Sequence, residues 1–119
     1  MASKLLNWEA DVDIAINRLQ KSGLVFPFEE SAKFIDFLAS HKFLTRDELI
    51  AAAKNIRNVQ SDPESSSFIS STLANVTMAV HGQGDVPDPG GWYFHDNHKI
   101  YALDRGFSAE WRKQRSMEA

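Results

Sequence analysis

Between Gly82 and Gly91 the chain carries four glycines, two prolines and two aspartates, and there its hydrophobic rhythm changes. Such a segment supports neither helix nor strand, because glycine costs backbone entropy and proline removes an amide donor, so it is read as a loop. Before it, apolar residues recur at helical spacing; after it, residues 92–103 alternate with the two-residue period of a strand pair. The chain is therefore expected to be mainly α within an α+β class, with a four-helix core, a C-terminal β-hairpin and a short terminal helix. At 119 residues it is long enough for one core and short for two. A single domain is expected over 1–119, with the helical core at 7–81, the loop at 82–91 and the hairpin and last helix at 92–119.

Trp8, Val12, Ala15, Ile16 and Leu19 share one helical face, which predicts a first helix over residues 7–22 stopped by Gly23. Residues 24–28, around Pro27, read as a packed connector. Phe34, Phe37, Leu38 and His41 define a second helix over 29–41, with acidic residues at its positive end. Thr45 and Glu48 form a capping-box pattern, with Leu44 and Leu49 as the hydrophobic staple, so a third helix starts at Arg46. It buries Leu49, Ile50, Ala53 and Ile56 and frays near Asn58. Asp62 followed by Pro63 is a helix-start pair. Ile69, Leu73, Val76 and Val80, with Phe68 and Thr72 alongside, carry that fourth helix to His81, although five nearby serines lower its propensity. Ser108 is expected to cap the last helix, which holds Trp111 and the basic Arg112, Lys113 and Arg115.

In the hairpin, a turn at Asp96 and Asn97 pairs His95 with His98, Phe94 with Lys99, Tyr93 with Ile100 and Trp92 with Tyr101. Alternation then puts Trp92, Phe94, Tyr101 and Leu103 on one face and Tyr93, His95, His98, Ile100 and Ala102 on the other. The first face is expected to be the core side.

The composition excludes several function classes. With no cysteine there are no disulfides, no thiolate chemistry and none of the usual cysteine zinc sites. No window approaches the roughly 18 to 20 apolar residues of a membrane span, and the N-terminus lacks a signal pattern, so a soluble, cytoplasmic protein without membrane contact is expected. His95 and His98 form an H-x-x-H pair but lack an evident third ligand, and no metal or other cofactor is expected. His81, Asp85, Asp88 and Asp104 cluster near the loop and hairpin, yet aspartate is ordinary in turns, and no serine sits in a nucleophile-elbow pattern. Gly82 and Gly84 lack the rest of a phosphate-loop signature, and the sequon at Asn75 falls inside a helix pattern. No catalytic signature is present.

Two binding readings remain. The second and third helices, joined by Lys42–Thr45, have helix-turn-helix spacing, and the hairpin resembles a wing, which gives a winged-helix-like DNA-binding protein using helix 46–57 and hairpin 92–103. Arg46, Lys54, Asn55 and Arg57 would face the nucleic acid. Net charge of −3 and the acids Asp47 and Glu48 at the leading end of that helix oppose this, so DNA is an unfavoured partner. The preferred expectation is a non-enzymatic intracellular module that binds another protein, in the manner of a small inhibitor, immunity-type protein or adaptor. Its recognition residues are expected to be Tyr93, His95, His98, Ile100, Asp85 and Asp88, since aromatic side chains anchor interfaces at small entropic cost.

Overall fold

Periodicity and caps give the helices their limits in the computed structural model, which describes residues 8–21, 26–81 and 89–117. Helix α1 spans Trp8–Gln20, α2 Phe28–Ala39, α3 Arg46–Arg57, α4 Asp62–His81 and α5 Arg105–Gln114; strands β1, β2 and β3 are Leu44–Thr45, Gly90–His95 and His98–Leu103. The protein is thus mainly helical with a small antiparallel sheet. The stop expected at Gly23, and residues 82–88 of the expected loop, lie outside the described residues.

The capping box forms as its spacing requires. Thr45 Oγ1 accepts from the Glu48 amide at 3.2 Å, and the Thr45 amide donates to Glu48 Oε1 at 2.8 Å, so two otherwise orphaned donors are satisfied reciprocally. Asn58 ends α3 in the left-handed region, φ 56°. Two other expected caps are corrected. Ser61, not Asp62, accepts from the Glu64 amide (3.2 Å), because the Asp62 carboxylate is held by Lys54 at 2.6 Å, whose hydrogen bond and charge lower the Asp62 pKa. Asp104, not Ser108, caps α5 by accepting from the Phe107 amide at 3.0 Å, because the helix begins directly after β3.

One apolar core joins all the helices. Val12, Ala15 and Leu19 of α1 share one cluster with Phe34, Ile35 and Leu38 of α2, Leu49 and Ala53 of α3, and Phe68, Leu73 and Val76 of α4. Helix α5 adds Phe107 and Trp111, both fully buried, so the core draws on five helices among the described residues and not four. Phe68 stands edge-on to Phe34 and Phe26 at 5.5 and 5.1 Å, the offset arrangement that ring quadrupoles favour. The serine run does not break α4: Ser65 is fully buried, and its hydroxyl donates to the Ser61 carbonyl at 3.0 Å. Helix α5 is clamped to α2 by Asp36, which accepts from Trp111 Nε1 (2.7 Å) and, through both oxygens, from Arg115 (3.0 and 2.9 Å).

The sheet departs from a lone hairpin. Leu44 and Thr45, read in sequence as a staple and a cap, also pair with Tyr101 and Ile100, giving the strand order β1-β3-β2. A two-residue strand carries no alternation to read. Its consequence is large, because among the described residues β3 becomes the central strand and β2 an edge.

Candidate functional site

Strand β2 and its turn are built by local rules. Asp96 and Asn97 both have positive φ, 50° and 66°, the pair of left-handed residues that matches a two-residue hairpin turn to strand twist. The register is His95↔His98, Phe94↔Lys99, Tyr93↔Ile100 and Trp92↔Tyr101, as the sequence predicts, and it continues through Gly91↔Ala102 and Gly90↔Leu103. Gly90 and Gly91 therefore belong to the strand and not to the loop. Glycine is needed at 90, because the Tyr101 ring passes over it: a Cβ there would lie 2.7 Å from Tyr101 Oη and 2.9 Å from the Ala102 carbonyl oxygen. Since the second contact is backbone within the ladder, Gly90→Ala is expected to destabilise by roughly 1 to 3 kcal/mol. Denaturant unfolding checks this, and wild-type stability would show that Tyr101 does not cover that position.

The expected core side of the hairpin holds along β3 and is corrected along β2. Tyr101 and Leu103 are buried at 5% and 6%, but Trp92 is 39% exposed and Phe94 79% exposed. The reason is strand order: the core lies beneath central β3, while edge β2 projects past it. Trp92 leans edge-on against Tyr101 at 5.2 Å with the Lys99 ammonium 5.0 Å above its ring, so one side of the indole is covered and the other remains in water. On the opposite face Tyr93 is 57% exposed, its ring lying back over Gly91, where an added Cβ would come within 3.4 Å of Tyr93 Oη.

The other expected site residues fall differently. Ile100 is paired on both sides, by Thr45 and Tyr93, and is buried at 8%. His98 is exposed beside the turn, and His95 is placed as the last residue of β2, its side chain outside what is described. Asp85 and Asp88 lie outside the described residues. Among the described residues, no three histidine, aspartate or glutamate side chains converge as metal ligands, and no helix is long and apolar enough to cross a membrane.

Helix α5 packs on α1 and α2, leaving Tyr93 uncovered by it. Trp92 and Phe94 were missed as surface residues because alternation tells which side chains share a face, not which face meets the core. A separate groove of about 520 Å³ runs between α2 and α3, floored by Phe37, Leu44, Ala52 and Ile56. Comparisons with family models, with curated proteins and with solved structures find no match to this chain, so the functional reading rests on its own surface.

Proposed function

We propose that this chain is a non-enzymatic intracellular protein-recognition module that takes its partner along β2, in the manner of a small inhibitor, immunity-type protein or adaptor. The observation that carries this reading is the exposure of Trp92, Tyr93 and Phe94, at 39%, 57% and 79%, in successive positions of an edge strand. At ~200 Å² per aromatic side chain, these exposures leave roughly 350 Å² of side-chain surface in water, a large part of the ~800 Å² one partner gives to a standard interface. Trp92 and Phe94 face one side of the sheet and Tyr93 the other. A flat partner reaches only one set, whereas a strand laid beside β2 meets both faces and pairs the backbone of the edge. His98 flanks this surface, and Asp85 and Asp88 precede it in sequence.

A winged-helix-like DNA-binding protein is the second reading, favoured by one observation. The order α2, β1, α3, α4, β2, β3, with β1 paired to β3, follows winged-helix connectivity. Connectivity is analogy at the level of fold, and the charges oppose the function. Lys54 is committed to Asp62, Arg57 to Glu30 and the Phe26 ring, and Arg46 Nη2 reaches Ser66 Oγ at 3.5 Å. Helix α4, which that connectivity offers to a groove, opens with Asp62 and Glu64, and no lysine or arginine lies between Arg57 and Lys99. Without cations to displace phosphate counterions, little affinity survives physiological salt.

Affinity capture from the native source at physiological salt, with mass identification, tests the proposal when wild type is run beside a Tyr93→Ser, Phe94→Ser double variant. The variant is expected to unfold within about 0.5 kcal/mol of wild type, as exposed positions do, and to lose the captured protein at least about tenfold. Full capture by a stable variant removes β2 from the interface. Recovery of DNA that survives physiological salt and depends on Arg46 and Lys54 favours the second reading instead.

A further inference from the structure

A cleft of about 210 Å³ lies where the end of α2 meets the start of α5, and its polar lining is one-sided. His41 and Lys42 follow the last turn of α2, Arg105 opens α5, and Arg112 stands two turns further along it; no carboxylate joins them in the lining among the described residues. That is unusual for a chain with net charge −3. Arg112 is held in the wall by donating from Nη1 to the Ala39 carbonyl at 3.1 Å, which fixes its planar guanidinium. Lys42 and Arg105 are exposed and make no ion pair among the described residues.

Two further polar groups line the cleft. Ser108, only 7% exposed, lines the cleft, and its hydroxyl has no hydrogen-bond partner among the described residues. His41 has Nδ1 at 2.8 Å from the Phe37 carbonyl oxygen, with its ring 4.6 Å from that of Phe37. Because a carbonyl only accepts, Nδ1 carries a hydrogen, and this bond fixes the ring at the edge of the cleft. A guanidinium fork, an ammonium and a hydroxyl form a donor set suited to a phosphoryl group, whose several oxygens accept. The volume corresponds to roughly seven waters and is below the ~300 Å³ at which drug-sized pockets begin, so the ligand is small.

We propose that this cleft binds a phosphoryl group, as inorganic phosphate or a small phosphate monoester, gripped by Lys42 and Arg105, with Arg112, Ser108 and His41 in its wall. The site is independent of the β2 surface. Isotope-labelled protein titrated at constant ionic strength with inorganic phosphate, and separately with phosphoserine, tests it through backbone amide shifts. Saturating shifts at Lys42, Arg105 and Ser108 are expected. Lys42→Gln and Arg105→Gln, both at exposed positions, are each expected to weaken binding roughly tenfold, the loss of one charge-assisted hydrogen bond. Ser108→Ala weakens it less, and Lys113→Gln, which removes a charge from α5 outside the cleft, leaves it unchanged. Tighter binding of phosphoserine identifies an ester as the ligand; equal affinity identifies phosphate itself. Shifts that grow linearly without saturation, or an Arg105→Gln variant that binds like wild type, overturn the assignment, and so does an equal loss in Lys113→Gln.

Discussion

Trp111→Ala is expected to lower the unfolding free energy by roughly 3 to 5 kcal/mol, a large share of what a domain of this size holds. Trp111 is fully buried, its ring stacks on Phe107 with centroids 6.2 Å apart, and its indole N–H donates to Asp36 at 2.7 Å. Truncation therefore removes the largest fully buried side chain among the described residues and leaves a cavity between α5 and α2. Trp92→Ala offers the contrast. With 39% of that residue already in water and a rim position where neighbours can relax, its loss is expected to cost about 1 to 2 kcal/mol. Denaturant unfolding of both variants, and of Trp111→Phe, which keeps a ring and loses only the N–H and some volume, checks the assignment. Equal costs for the two tryptophans would show that β2 is packed in the core and not at its rim.

Asp36→Ala is expected to cost about 2 to 4 kcal/mol, more than a partly exposed carboxylate ordinarily contributes. Three donors end on it: Trp111 Nε1, Arg115 Nε and Arg115 Nη2. The guanidinium can rehydrate, since 27% of its side chain is accessible, so its share is discounted for solvent screening. The indole N–H cannot, and an unsatisfied buried donor alone costs roughly 1 to 3 kcal/mol. The hydrogen bond to Asp36 also raises the Arg115 pKa above its ordinary value, so the cation is held throughout the accessible pH range. A double-mutant cycle with Arg115→Ala separates the parts. Arg115→Ala is expected to cost about 1 kcal/mol, and in the Trp111→Phe background Asp36→Ala should lose much of its effect, because the donor it orphans is already gone. If Asp36→Ala costs the same with Phe at 111, the indole bond contributes nothing.

Much of the fold is legible because it is written within a few residues. The 3.6-residue recurrence of Val12, Ala15 and Leu19, or of Ile69, Leu73 and Val76, needs no distant partner to declare a buried stripe. The Thr45–Glu48 box is closed by atoms three residues apart, and Asp96 and Asn97 set the hairpin register because both tolerate positive φ. Cap choice was less legible. Ser61 and Asp62 are both capable caps, and the carboxylate was drawn off by Lys54 of the preceding helix.

By itself, then, the sequence determined the helices, the hairpin, its register and which side chains share a face. Only the tertiary structure decided which of those faces is covered. Leu44 and Thr45 carry no strand pattern of their own, yet by pairing with Tyr101 and Ile100 they make β3 central, bury Ile100 from both sides and leave Trp92, Tyr93 and Phe94 on an open edge. The basic cleft arises likewise, from His41 and Lys42 at one end of α2 meeting Arg105 and Arg112 far along the chain. The physical reason is the range of the interactions. Periodicity, caps and turns are satisfied by neighbours in sequence, whereas strand order, burial and the meeting of distant charges depend on which elements pack together, and that is settled by the shape of the whole core.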